Sequence, residues 1–207
     1  MADAVAADVD GQGGDAMTAL CETLTSRHLA LGRRGLVLCG AAPGAGVSFV
    51  TAELGRALSD AGLRTLVIEA NLRTPAMAHH FPTGEAAKEG LQAFLSGDAL
   101  TPPDIIREVS PELSVVFAGA GGDDPSNLFE TPRFEELVQY ALRTFDCTLV
   151  DTPAANAWAE VRRIAEVVGY AALVARRDVT MAEDLRALAG ELAMDGVSVV
   201  GSIFNEG

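Results

Sequence analysis

The stretch that most constrains the fold of this chain is an apolar run that ends in a loop of small residues. Residues 36–39 are apolar, residues 40–46 are Gly, Ala and Pro, and a helical pattern follows over 47–61. Strand, glycine-containing loop and helix in this order are typical of a phosphate-binding loop, because backbone N–H groups turn towards an anion at the helix N-terminus. The position that normally carries the phosphate-gripping lysine is Val47.

Apolar runs and helical patterns alternate along the rest of the chain. Strands are predicted at 36–39, 65–69, 113–118, 147–151, 170–175 and 197–204. Helices are predicted at 16–29, 47–61, 90–95, 132–144, 157–167 and 181–194. Non-alternating strands separated by helices indicate an α/β fold, with a parallel sheet covered by helices on both faces. We expect one P-loop NTPase-like domain over 16–207, preceded by a disordered acidic tail at 1–15.

Composition restricts the compartment and the class of partner. The 207 residues carry a net charge of −14, which argues against nucleic acid and against anionic lipid as the main partner. No apolar stretch approaches the roughly 20 residues that span a membrane. The acidic N-terminus lacks the basic region of a signal peptide. These features predict a cytoplasmic protein without direct membrane insertion.

Ligands of parallel sheets bind beyond the carboxyl ends of the strands, and three polar or glycine-rich strand ends are expected to meet there. The loop and the first helical turn supply the candidate nucleotide-binding residues Gly44, Ala45, Gly46, Val47, Ser48 and Phe49. The Ser48 hydroxyl and the Asp151 carboxylate are candidate Mg²⁺ ligands, because Mg²⁺ prefers oxygen ligands. Glu69 and Asn71 follow the strand 65–69 as an acid-x-amide pattern.

These segments resemble the P-loop domain of the bacterial tyrosine autokinases (BY-kinases) of polysaccharide biosynthesis, within the MinD/ParA-like group of P-loop ATPases. The family motifs read roughly P-G-E-G-K-[ST] in Walker A, D-x-D-x-R-x-P in Walker A′ and Y-D-x-[VI]-I-[IV]-D-T-P-P in Walker B. The matching stretches here are 43–48, 69–75 and 145–154, with further similarity at 90–91, 124–129, 133–137 and 201–205. The resemblance thus covers nearly everything from 35 to 205.

The resemblance implies ATP or ADP with Mg²⁺ as ligands, Asn205 near the nucleotide base, and Glu69, Asn71 and Asp151 at catalytic positions. The chain departs from the family at Val47, which replaces the lysine, and at Glu69 and Asn71, which replace the paired aspartates. One lost charged donor costs roughly 1.5–3 kcal/mol in phosphate binding and about 10²–10³ in rate. We therefore expect weak nucleotide and Mg²⁺ binding, no required cofactor, and weak or no ATP hydrolysis.

The resemblance also implies a membrane-bound polysaccharide co-polymerase, or another protein of the export machinery, as the partner. Such a partner would place the protein peripherally at the inner membrane. The family's E-x-x-R-x-x-R pattern for ring assembly falls on Asp15, Thr18 and Cys21, so both arginines are missing. Homo-oligomerisation stays open, and ring assembly is not expected. The tyrosines Tyr140 and Tyr170 lie in a predicted helix and a predicted strand, and no tyrosine-rich tail follows them in this sequence.

Three hypotheses of function follow. The first is a regulatory or scaffolding subunit of exopolysaccharide biosynthesis and export with a degenerate BY-kinase domain. The second is an active tyrosine kinase or ATPase of polysaccharide chain-length control, in which Arg73, Arg176 or Arg177 replaces the lysine. The third is a MinD/ParA-like positioning ATPase, which ranks last because a second, early loop lysine and a C-terminal amphipathic helix are both missing from the sequence.

Overall fold

The computed structural model describes residues 8–9, 14–82, 89–97, 99–120, 125–156 and 159–206. Its strands are β1 (Asp8–Val9), β2 (Gly35–Gly40), β3 (Thr65–Glu69), β4 (Arg107–Ser110), β5 (Leu113–Val116), β6 (Cys147–Asp151), β7 (Tyr170–Arg176) and β8 (Ser198–Asn205). Its α-helices are α1 (Gly14–Arg27), α2 (Val47–Asp60), α3 (Met77–His80), α4 (Leu91–Ser96), α5 (Pro102–Ile105), α6 (Pro132–Thr144), α7 (Glu160–Val168) and α8 (Ala182–Met194). Short 3-10 helices occupy Leu29–Leu31 and Pro125–Glu130.

The strands form one sheet in the order β1-β8-β7-β2-β6-β3-β5-β4. Every neighbouring pair runs parallel except β4 and β5, which form an antiparallel edge. The central strands β2, β3 and β6 are buried at every residue. Burial on both faces explains why these strands read as uninterrupted apolar runs, and the predicted parallel sheet is confirmed.

Alternate residues of the central strands pack into two separate cores. In β2, Val37 belongs to a core that includes Phe134 of α6 and Ile164 of α7. Its neighbour Leu38 belongs to a second core on the other face, together with Val50 of α2. Helices therefore cover both faces of the sheet, as the sequence predicts for this α/β fold. Across the described residues, no helix has the length and apolar character needed to cross a bilayer.

The predicted strands and longer helices are all present, with differences at their ends. The prediction misses β4, because its sequence Arg107–Ser110 mixes charged, apolar and polar residues without an apolar run. The first two residues of the predicted helix 157–167 lie outside the described residues, and α7 begins at Glu160. The predicted tail 1–15 also falls largely outside them, so its disorder stays a prediction. Within that segment the structure describes only β1, which pairs with β8, and the first residues of α1.

Candidate functional site

The candidate site lies where the carboxyl ends of the central strands meet. The loop 41–46 connects β2 to α2, and Asp151 and Glu69 end the neighbouring strands β6 and β3. Glu69 and Asp151 are paired across the two strands, and the Ser48 hydroxyl donates a hydrogen bond to Asp151 Oδ2 at 2.8 Å. The fold thus brings the predicted phosphate loop and the predicted carboxylates to one place.

The loop keeps a backbone shape suited to an anion. Gly44 and Gly46 have φ angles of 82° and 84°, in the left-handed region that glycine enters at little cost. Such residues let successive N–H groups turn to one side and form an anion-binding nest. The helix α2 begins directly after Gly46 and adds the partial positive charge of its N-terminus. The backbone part of the predicted phosphate loop is therefore present.

Val47 packs into the core beneath the loop. Its side chain is 8% exposed and belongs to the same apolar core as Ala45 and Val50. A Cβ added to Gly40 would lie 3.1 Å from Val47 Cγ2, so the valine side chain also packs against the end of β2. The chain's single lysine, Lys88, lies outside the described residues. At the lysine position the loop therefore has an apolar packing contact and no charged group.

Asp151 is a buried carboxyl with one oxygen that lacks a partner. Its side chain has no exposed surface, and no hydrogen bond reaches Oδ1 from any described residue. Burial raises the pKa of the Asp151 carboxyl to about 8; the hydrogen bond from Ser48 opposes this shift, and the charge of Glu69 adds to it. Carboxylate and hydroxyl oxygens are suitable Mg²⁺ ligands, so Asp151 and Ser48 fit a magnesium ion. When bound, the ion would neutralise charge on phosphate oxygens.

Glu69 has a different environment, although it lies beside Asp151. Its Oε1 accepts hydrogen bonds from the backbone N–H groups of Ala76 and Met77 at 2.6 and 2.7 Å. Its Oε2 accepts one from the N–H of Ala118 at 2.8 Å. The side chain is 1% exposed. Glu69 thus ties the start of α3 and the segment after β5 to the end of β3, and both carboxylate oxygens are occupied by the fold.

Asn71 and Arg73 are also engaged within the fold. The Asn71 side chain accepts a hydrogen bond from the Thr74 N–H at 3.2 Å and donates one to Thr74 Oγ1 at 3.1 Å. Arg73 Nε donates to Glu160 Oε1 at 2.7 Å, and the side chains are 18% and 5% exposed. Thr74 was not among the predicted site residues; Asn is common in turns because its side chain bonds to nearby backbone groups, as Asn71 does here.

Asn205 and Phe49 end up in different surroundings. The Asn205 side chain is buried, and its Nδ2 donates to the Ala45 carbonyl at 3.1 Å. It therefore lies against the phosphate loop. Phe49 is 43% exposed, with its ring 6.3 Å from the ring of His80. Phe49 thus lies on the outer side of α2, next to α3.

Of the arginines proposed to replace the lysine, one contacts the loop. Arg176 Nη1 donates to the Gly44 carbonyl at 3.3 Å. Arg177, the next residue, forms an ion pair with Glu206 instead. The sequence could identify Arg176 as a residue near a strand end, but could not distinguish it from Arg177, because only the path of the β7–α8 turn separates the two side chains.

The two tyrosines lie within regular structure. Tyr140 is in α6 and Tyr170 is in β7, and both are half-buried. The Tyr170 ring packs edge-on against His28, with 5.0 Å between ring centroids, and Arg33 stacks over it. Neither tyrosine is on a loop that could extend into another molecule's active site.

Comparison with known proteins agrees with this geometry. No protein-family model matches the chain. The putative tyrosine-protein kinase EpsB of Ralstonia solanacearum is 33% identical over 174 residues, which cover 84% of this chain and 23% of EpsB. The chain spans about a quarter of the length of the curated relatives it matches.

Solved structures extend the comparison. The kinase domain of Escherichia coli tyrosine kinase ETK has a TM-score of 0.84 at 28% identity, and the match covers 95% of this chain and 78% of that one. The septum site-determining protein MinD of Pyrococcus horikoshii, complexed with Mg-ADP, has a TM-score of 0.71 at 21% identity over 83% and 70% of the two chains, which shows the shared fold alone. By sequence and by fold, the chain is therefore a homologue of the kinase domains of the bacterial tyrosine-protein kinases.

Proposed function

We propose that this chain is a degenerate BY-kinase-like protein that acts as a regulatory or scaffolding subunit in exopolysaccharide or capsule biosynthesis and export. The observation that carries the proposal is Val47, which occupies the lysine position and is packed into the core. The relationship to tyrosine-protein kinases such as EpsB supports the biological setting. The protein keeps the family fold and gives up the group that grips the transferred phosphate.

Nucleotide binding survives in a weakened form. The left-handed glycines of the loop, the N-terminus of α2 and the Ser48–Asp151 pair are retained, and they suit ATP or ADP with Mg²⁺. MinD of Pyrococcus horikoshii, which shares this fold, was solved with Mg-ADP, which supports the same ligand class here. Without the lysine, affinity falls by about ten- to a hundredfold, the equivalent of roughly 1.5–3 kcal/mol. We expect that the protein requires neither nucleotide nor metal as a cofactor.

Phosphoryl transfer is slow or absent because the groups at the Walker A′ positions are poorly suited to accept a proton. Both oxygens of Glu69 accept backbone hydrogen bonds, so the carboxylate would have to break them to act as a base. Asn71 has no basic atom and is bonded to Thr74. The loss of the lysine lowers the rate by a further factor of about 10²–10³. The half-buried tyrosines in α6 and β7 are poor phosphate acceptors.

The proposed partner is a membrane-bound polysaccharide co-polymerase or another protein of the export machinery. A net charge of −14 disfavours direct binding to anionic lipid, so a cytoplasmic protein would reach the inner membrane through this partner. The positions that correspond to the family's ring-assembly arginines hold Thr18 and Cys21, and Cys21 is buried. A homo-oligomer, if formed, would therefore use other contacts than the family's ring.

Turnover of Mg-ATP by the purified natural protein tests the proposal, with Asp151→Ala as the background. We expect no turnover above that background and no signal on a phosphotyrosine blot after incubation with ATP. An active kinase predicts turnover that both Asp151→Ala and Arg176→Gln abolish, whereas Arg177→Gln leaves it unchanged. That result would contradict the scaffold proposal and support an active kinase in which an arginine replaces the lysine.

A further inference from the structure

We infer that Arg176 and Asn205 brace the phosphate loop from outside and hold its anion-binding shape in the absence of the lysine. This inference rests on the proposed function, because it explains how a loop with Val47 keeps a usable binding surface. It assigns to both residues a positioning role. In this role Arg176 does not contact the phosphate directly, and Asn205 does not contact the nucleotide base.

The two donors reach consecutive carbonyl groups of the loop. Arg176 Nη1 donates to the carbonyl of Gly44 at 3.3 Å, and Asn205 Nδ2 donates to the carbonyl of Ala45 at 3.1 Å. Arg176 and Asn205 are the last residues of the neighbouring strands β7 and β8 and are paired in register. The ends of two adjacent strands therefore present two side-chain donors to two adjacent peptide groups.

Fixing these carbonyls also fixes the N–H groups of the nest. In a trans peptide the C=O and the next N–H lie in one plane and point in opposite directions. When the carbonyls of Gly44 and Ala45 face Arg176 and Asn205, the N–H groups of Ala45 and Gly46 face the other side of the loop. A nest binds an anion through successive N–H groups that point to one side. The braces therefore orient the groups that would meet a phosphate.

The backbone around both donors is itself held in place. Asn205 is 4% exposed, and a Cβ on Gly46 would lie 2.2 Å from its Nδ2, so the amide lies directly against the loop. The Arg176 carbonyl accepts hydrogen bonds from the N–H groups of Val179 and Thr180, and the Arg176 N–H donates to Thr180 Oγ1. This turn fixes where the Arg176 side chain starts.

The position at the end of β7 also brings charge to the loop. Arg176 contributes its guanidinium within hydrogen-bond distance of Gly44, whereas Arg177 is neutralised by Glu206. A glutamine in place of Arg176 removes the charge and shortens the side chain, and a lysine keeps the charge with a single donor group. Arg177→Gln is a matched control, because it removes an arginine from the same turn without a contact to the loop.

The first measurement is backbone nitrogen relaxation by NMR without any ligand. In the natural protein and in Arg177→Gln we expect order parameters of about 0.85 for the Ala45 and Gly46 amides, as in rigid secondary structure. In the double variant Arg176→Gln/Asn205→Ala they should fall below about 0.6, while the amides of α2 stay rigid. Arg176→Lys should retain most of the order. Unchanged values for Ala45 and Gly46 in the double variant would overturn the inference.

The second measurement is Mg-ADP affinity in the Val47→Lys background. Loss of both braces should weaken binding by about tenfold, because the free loop must be ordered when the ligand binds. Equal affinity with and without the braces would contradict the inference. If Mg-ADP binds to no variant, the proposed nucleotide site is wrong, and the relaxation data still decide whether the braces exist.

Discussion

Two carboxylates side by side at the ends of β6 and β3 have opposite environments. Asp151 receives one hydrogen bond, from Ser48, and its Oδ1 has no partner among the described residues. Glu69 accepts three backbone hydrogen bonds and has both oxygens occupied. A buried carboxyl with an unused oxygen is suited to a cation, whereas a fully bonded one stabilises the fold. This contrast supports the proposal that the site keeps a metal ligand and lacks a catalytic group at the Glu69 position.

The longer side chain lets Glu69 reach backbone groups of the fold. One additional methylene moves the carboxylate about one bond length further from β3 than an aspartate would place it. At that reach it meets the N–H groups that begin α3 and follow β5. While the Glu69 carboxylate binds these N–H groups, it is not free to act on a nucleotide. This difference between Glu69 and Asp151 supports the proposal that the site binds nucleotide and metal without rapid phosphoryl transfer.

The largest expected effect is on stability, from Glu69→Ala. The substitution leaves three backbone N–H groups without acceptors, two of them buried and that of Ala76 partly buried, and the free energy of unfolding should fall by about 3–5 kcal/mol in urea titration. Glu166→Ala is the control, because Glu166 is exposed and pairs only at the surface with Arg163, so its loss should cost less than about 0.5 kcal/mol. A cost below about 1 kcal/mol for Glu69→Ala would remove the contrast with Asp151.

The second-largest expected effect is a pH dependence of the free energy of unfolding that arises from Asp151. The folded protein holds this proton up to about pH 8, whereas an unfolded aspartate releases it near about pH 4, so the free energy of unfolding falls as the pH rises through that window. Between about pH 6 and about pH 8 the loss should be about 2 kcal/mol in metal-free buffer. Asp151→Asn should abolish that part of the slope. Identical slopes in both proteins would mean that Asp151 is not held protonated.

Much of the fold follows from the sequence, for a physical reason. The strands β2, β3 and β6 are buried on both faces, and such strands need uninterrupted apolar runs, which are visible without a structure. The antiparallel edge strand β4 is only partly buried, so its residues have no such constraint and no such pattern. The position of the phosphate loop follows from the same rule, because ligand loops lie at strand ends.

The roles within the site could not be predicted in the same way. The partner of Glu69 Oε2 is Ala118, whose N–H is 49 residues further along the chain and has no side-chain signal. The packing of Val47 against Gly40 and the contact of Arg176 with Gly44 likewise depend on tertiary geometry. The sequence identified the positions where family residues are replaced, and the structure shows where the replacing side chains point.

The smallest effect concerns Asn71. The Asn71 amide forms its hydrogen bonds with Thr74, and these bonds are only partly buried. Asn71→Ala should therefore lower the free energy of unfolding by about 1 kcal/mol. Mg-ADP affinity in the Val47→Lys background should not change, since the side chain is engaged in the turn. Thr74→Val is the matched variant and should cost less, because it removes the Thr74 hydroxyl but leaves the hydrogen bond from the Thr74 N–H to Asn71 Oδ1. A tenfold loss of affinity on Asn71→Ala alone would return this residue to the binding site.

The most direct test of the account is the affinity for Mg-ATP, measured by calorimetry, of the natural protein and of Val47→Lys. If the loop is intact except for the lysine, Val47→Lys should bind about ten- to a hundredfold more tightly. The gain should come without tyrosine phosphorylation, because Glu69 stays bonded to the backbone. Equal affinities in the two proteins, or rapid phosphoryl transfer by either, would contradict the account.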